Sequence, residues 1–138
     1  MIIADTGFWI ALSDKKDKHH RAANAFVKTS AERLITTYPV ITEVCHISLA
    51  RQGIKAQLNF VKMYQLEAFD LFEIPKKDKE RLFVLMQQYA DLPMDFADAS
   101  LVLLAEHLGH GRILSTDKRD FHTYRWKNTQ PFSNLLSL

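Results

Sequence analysis

Two rhythms of apolar and polar positions alternate along this chain. Short unbroken apolar runs ("MIIA", "RLITT", "AFDLFEI", "GRILST") are separated by longer segments in which apolar residues return every three or four positions. A short continuous run bounded by polar residues reads as a buried strand, and the second rhythm as a helix. The pattern predicts strands at Met1–Ala4, Arg33–Thr37, Ala68–Ile74 and Gly111–Thr116, with a last short strand in Pro131–Leu138. It predicts a helical turn at Gly7–Leu12 and helices at Asp17–Ser30, Val40–Arg51, Ile54–Leu66, Lys76–Tyr89 and Asp95–Leu108. Pro39 and Pro75 stand where helices open, since a missing N–H costs nothing there. Gly53 and Gly109 stand where helices stop. Strands alternating with helices imply an α/β domain with a central, mainly parallel sheet between two helical layers. Residues 1–138 hold no repeat, linker or low-complexity tract, so one domain is expected. In such sheets ligands bind outside the carboxyl ends of the strands.

Composition narrows the class. The chain is 47% hydrophobic and 25% charged, as globular domains are. No apolar run approaches the roughly 20 residues that span a bilayer. The N-terminus lacks the features of a secretory signal. The single cysteine, Cys45, excludes an internal disulfide and a cysteine-based zinc site. These features point to the cytoplasm. A net charge of +2 says less than its distribution. "DKKDKHHR" and "PKKDKER" read as solvated faces. "DKRDFHTYRWK" interleaves cations with aromatics, a mixture suited to phosphate contacts and base stacking. It makes Lys118, Arg119, Tyr124, Arg125 and Trp126 candidate contacts to a nucleic acid.

Acids occupy the positions that matter most. Asp5 and Asp117 each end a predicted strand, where a lone aspartate would be a turn or cap. Glu43 falls within about 60° of Val40 on the helical wheel, inside the apolar stripe. Asp98 is centred on an apolar face, with Leu101, Val102 and Ala105 within about 60° of it. Asp95 lies on the polar border of the same helix, at its start, where a side-chain oxygen accepts free backbone N–H groups. Two acids at strand ends and two on inward helix faces repel one another unless protons or a cation neutralise them. An all-oxygen set suits Mg²⁺ or Mn²⁺ rather than zinc. Such ions activate water and stabilise the leaving oxygen of a phosphodiester. The chemistry indicated is metal-assisted phosphodiester hydrolysis, with Asp5, Glu43, Asp98 and Asp117 as its carriers.

The ordered set resembles the PIN-domain ribonucleases. Their pattern is an apolar strand ending in Asp and then Ser or Thr, here "IIADT"; a helical Glu, here "ITEV"; an acid before Ala at the start of an apolar helix, here "FADAS"; and an acid after a late strand with Phe soon after, here "LSTDKRDF". The resemblance runs along almost the whole chain. It implies a three-layer α/β/α fold and Mg²⁺- or Mn²⁺-dependent cleavage of RNA. Asp5, Glu43 and Asp98 would hold the metal, with Asp117 completing the site directly or through water. Thr6 and Thr116 become candidates for supporting contacts and Asp120 for a fifth acid, its other reading being a helix cap. Asp95 departs from the commoner pattern of one acid at this helix start. Many small bacterial members are toxins of type II toxin–antitoxin pairs, of the virulence-associated protein C kind. These form homodimers and are neutralised by a small antitoxin that occupies the active-site groove, and Ile54–Leu66 is a candidate surface for either contact.

Other readings remain open. A nuclease acting in RNA processing outside a toxin–antitoxin pair fits the same residues, and so does a non-catalytic RNA- or protein-binding module that kept the fold. A haloacid-dehalogenase-type phosphatase needs a second Asp two positions after the first, where this chain has Gly7. His19, His20 and His122 read as surface groups, because the metal mechanism needs no histidine base.

Overall fold

The computed structural model describes residues 1–136. Strand β1 (Ile2–Ala4) leads into helix α1 (Thr6–Ser13), followed by α2 (His20–Thr29), β2 (Leu34–Thr37), α3 (Tyr38–Gln52) and α4 (Ile54–Gln65). Then come β3 (Asp70–Phe72), a 3₁₀ turn (Lys76–Asp78), α5 (Lys79–Gln88), α6 (Phe96–Leu108) and β4 (Arg112–Leu114). A short helix α7 (Asp120–Thr123), a hairpin of β5 (Arg125–Trp126) and β6 (Gln130–Pro131), and β7 (Ser133–Asn134) complete the described chain. The main sheet has the order β3-β2-β1-β4-β7 and every pairing in it is parallel. Helices flank it, so the expected α/β architecture is the observed one. Among the described residues no helix is long and apolar enough to cross a membrane.

The apolar runs form strands because both faces of a central parallel strand are covered. Ile2, Ile3 and Ala4 of β1 and Ile113 and Leu114 of β4 are fully buried. Helix α6 is buried almost all round, from Ala97 to Ala105 with Asp98 the half-buried exception. An aromatic cluster ties α1 to α4: Trp9 lies 5.7 Å from Phe60 and 4.8 Å from Phe69, centroid to centroid. Glycine supplies two helix stops, Gly53 at φ 95° and Gly109 at φ 76°, in the left-handed region that side-chain-bearing residues avoid.

The departures have local causes. Helix α2 starts at His20 rather than Asp17, because Asp17 folds a turn there, accepting from His19 N at 2.8 Å and His20 N at 3.0 Å. The expected Lys76–Tyr89 helix divides, because the extended Pro75 feeds a 3₁₀ turn before α5 begins. The β5–β6 hairpin turns through Lys127 and Asn128, both at positive φ, with no glycine to announce it. Within the stretch Pro131–Leu138, strand β7 is confined to Ser133–Asn134, and the last two positions lie outside the described residues.

Candidate active site

The sheet order places a topological switch beside β1. The chain moves from β1 outward through β2 to β3, then returns to β4 on the opposite side of β1. Parallel β1 and β4 end together, with Ala4 paired to Leu114, and the crevice beyond them is where this kind of sheet admits a ligand. A cleft of about 550 Å³ opens there. Asp5, Glu43, Asp98 and Asp117 all line it, as do Thr6, Thr116, Asp95 and Asp120.

Asp5 serves two structural partners. Its Oδ1 caps α1 by accepting from Phe8 N at 2.9 Å, and its Oδ2 accepts from the Ser115 hydroxyl. Cap and cleft residue are therefore the same aspartate. Ser115 is fully buried and also accepts from Asp117 N at 3.0 Å, so one hydroxyl links the two strand-end acids. The linking hydroxyl is that of Ser115 and not of its neighbour Thr116, and the Ser-x-Asp spacing in "LSTD" is the sequence signal for it. Thr116 instead packs on α1, where a Cβ at Gly7 would stand 2.0 Å from its Oγ1. Asp117 Oδ1 accepts from Arg119 N and Asp120 N, both at 3.0 Å. Asp117 thus starts α7, and Asp120 is the first helical residue rather than the cap.

Helix α3 carries Glu43 to the cleft. The buried side of α3 is Val40, Val44 and Ser48, and Ala50 is exposed. The core-facing stripe is rotated away from the expected one, which leaves Glu43 half-buried at its edge, facing the cleft rather than the core.

The two acids of α6 separate as the helical wheel implies. Asp95 is exposed and caps the helix, its Oδ1 accepting from Asp98 N at 2.8 Å. Asp98 is half-buried, and its Oδ2 accepts from the Tyr124 hydroxyl at 2.8 Å. The Thr37 and Ser100 hydroxyls, 2.7 Å apart, tie this end of α6 to β2.

Burial first, and neighbouring carboxylates second, make these acids hard to ionise. Asp5 is pushed up to about 7 by burial, with Asp117 and Glu43 adding to the shift and the Ser115 and Phe8 donors opposing it. Asp98 is also raised to about 7, by burial and then Asp95, against the Tyr124 hydrogen bond. Burial raises Asp117 as well. Asp120 is held low despite its burial, by Arg119 and the Asp117 side chain. Among the described residues no three acidic, histidine or cysteine side chains stand close enough together to hold a metal ion.

The basic side chains at the cleft differ from those the sequence suggests. Lys18, His19, Arg51 and Arg119 line the cleft. Of these only Arg119 is among the contacts that the sequence suggests, and part of "DKKDKHHR", expected as a solvated face, lines the cleft instead. Lys18 and His19 reach the cleft because α1 is short: eight residues carry the chain only about 12 Å from the sheet edge, and the following loop returns to it. Lys118 is exposed in a smaller neighbouring cavity with Phe132 and Asn134. Tyr124 is fully buried, with its ring against Tyr89 and Phe121, and offers no face for stacking. Arg125 is turned back onto the carbonyl oxygens of His122, Thr123 and Tyr124. Trp126 is half-buried and donates its indole N–H to Pro131 O. Tyr124 thus supports Asp98, Arg125 ties down the end of α7, and only Trp126 braces the β5–β6 hairpin.

Comparison with known proteins gives a consistent result. A family model, that of the PIN domain, matches residues 2–127. The chain is 27% identical over 124 residues to the ribonuclease VapC26 of Mycobacterium tuberculosis, covering 90% of this chain and 92% of that protein. The crystal structure of Mycobacterium tuberculosis VapC20, described as a sarcin-ricin loop cleaving toxin, superposes with a TM-score of 0.83 at 19% identity, over 95% of this chain and all of that one.

Proposed function

The chain belongs to the PIN domain family, and from that premise we propose that it is a metal-dependent endoribonuclease, the toxin of a type II toxin–antitoxin pair. The observation that carries the proposal is the meeting of Asp5, Glu43, Asp98 and Asp117, from four separate elements, on one cleft at the topological switch point. The likeness to a ribonuclease over nearly the full length of both chains supports the substrate class.

The donor set fits Mg²⁺ or Mn²⁺. It is all oxygen, and Asp5 and Asp98 hold protons up to about pH 7, a cost that a cation would relieve. All four carboxylates line one open cleft, and Mg²⁺ is an ion that keeps several of its own waters beside a few carboxylates. When bound, such an ion activates water and neutralises charge on the phosphodiester oxygens. The chain's residues then have distinct tasks. Asp5 and Asp117 are aimed by Ser115 and Asp98 by Tyr124, while Glu43 faces them from α3. Lys18, Arg51 and Arg119 supply the positive rim along which a phosphate chain is drawn.

On this reading a small antitoxin covers the cleft, and the working unit is a homodimer in the cytoplasm. Ile54, Leu58 and Val61 support an interface on α4, since all three are exposed there and Phe60 alone of the helix is buried. The test is incubation of the purified protein with end-labelled RNA in Mg²⁺, Mn²⁺ or chelator. Cleavage with metal, lost with chelator and in Asp98→Asn, is expected. Cleavage undiminished by chelator would refute the metal site. Growth arrest on expression, relieved by the product of an adjacent reading frame, is the expected sign of a toxin, and harmless expression alone would count against it.

A further inference from the structure

A second cavity of about 620 Å³ adjoins the acidic cleft. Glu43 and Asp95 line both, so the two are compartments of one depression. The walls of the second are Tyr38, Pro39, His46 and Phe96, and none of its lining residues is Lys or Arg. Phe96 is the first residue of α6, directly after the Asp95 cap, and 49% of it is exposed. Tyr38 opens α3 and is 42% exposed, with its hydroxyl 3.1 Å from that of Tyr64 and the two rings edge-on. Both rings sit at helix starts, on rigid backbone rather than loops.

We propose that Phe96 and Tyr38 form a nucleobase-stacking subsite that holds an unpaired base flanking the bond cleaved in the acidic cleft; this rests on the ribonuclease reading above. Charge decides between the parts of a nucleotide. The wall between the compartments carries Glu43 and Asp95, and no Lys or Arg lines the second compartment, so a phosphate is disfavoured there. The phosphates belong on the Lys18, Arg51 and Arg119 rim. An uncharged base offers the flat apolar face that exposed aromatics accept, and every base has one, so such a platform grips a single strand without reading its sequence. The compartment has the size of a small-ligand pocket rather than of a protein footprint. Thr42 and His46 on its border add polar groups for a base edge.

The test uses the full-length protein and short single-stranded RNAs carrying 2-aminopurine on either side of the cleaved bond. Phe96→Leu keeps an apolar side chain but removes the ring face, and Phe96→Trp keeps it. Phe83→Leu, an exposed phenylalanine of α5 outside both cavities, is the control. For Phe96→Leu, KM should rise about tenfold with kcat little changed, and the fluorescence quenching of one 2-aminopurine on binding should be lost. Phe96→Trp should restore both. Cleavage by the wild type with an unchanged KM and unchanged quenching in Phe96→Leu overturns the subsite and leaves the nuclease reading standing. If Phe96→Leu instead loses only the binding of a protein partner, the subsite is equally overturned. A wild type that neither binds nor cleaves RNA overturns both proposals.

Discussion

The Tyr124 hydroxyl, on a fully buried side chain, donates to Asp98 Oδ2 at 2.8 Å. The link joins the C-terminal segment to the acidic cleft across 26 residues of chain. It favours the ionised form of Asp98 against the burial that opposes it. Tyr124→Phe removes that donor and keeps the packed ring. The acid limb of the pH–rate profile should move to higher pH, with the loss of rate greater at pH 7 than at pH 9. Folding stability should change by only about 1 kcal/mol. A uniform loss of rate at every pH would assign Tyr124 a purely structural role.

The acidic cleft should make the metal-free protein less stable as pH rises. Burial raises Asp5 and Asp98 from an ordinary value of 3.8 to about 7. Below about pH 4 both are protonated in the folded and unfolded chains alike. Between that value and about 7 the folded chain keeps protons that the unfolded chain has released, so stability falls with rising pH. Above about 7 the loss is complete. Thermal melts in chelator should show this decline, and Mn²⁺ at pH 7.5 should reverse part of it by binding the folded state. A melting temperature that is flat or rises through this window, once other groups are matched by an Asp98→Asn control, would contradict it.

It follows that Asp98→Asn should melt higher than the wild type in chelator at pH 7.5. Asparagine removes a charge that burial opposes and can still accept from Tyr124. A gain of about 1 kcal/mol with loss of function is the pattern of a site held together at the expense of stability. Differential scanning calorimetry of the two proteins checks it.

The cationic rim predicts a salt dependence. Lys18→Ala and Arg51→Ala should each weaken RNA binding to a similar degree for all sequences and lower the slope of log K against log salt by about 0.7 for a single strand. Arg125→Ala should leave that slope unchanged, since its guanidinium is committed to backbone carbonyls. Filter binding across a salt series separates the two cases.

The strands and the acids at their ends were legible in the sequence because each announces itself locally. An unbroken apolar run ending in Asp, as in "IIAD", needs no tertiary knowledge, and the capping position of Asp95 follows from the helix start. The rim was not legible. Lys18 reaches the cleft through the return of the chain after α1, and Arg51 along α3, about two turns beyond Glu43. Ser115 was hidden between two more conspicuous neighbours. Tyr124 misled in the opposite direction: its setting among cations and aromatics resembles a nucleic-acid surface, yet Tyr89 and Phe121 enclose its ring. Local chemistry cannot report which face of a ring is covered.

The central claim is that Asp98 belongs to a metal-dependent ribonuclease site while Asp95, three residues earlier, caps its helix. Side-by-side rates of Mn²⁺-dependent RNA cleavage for wild type, Asp98→Asn and Asp95→Asn test it most directly. Asparagine caps nearly as well as aspartate. Asp98→Asn should therefore lose at least about a hundredfold in rate, and Asp95→Asn should keep most of its activity. Equal loss in both, or activity retained in Asp98→Asn, would contradict the account.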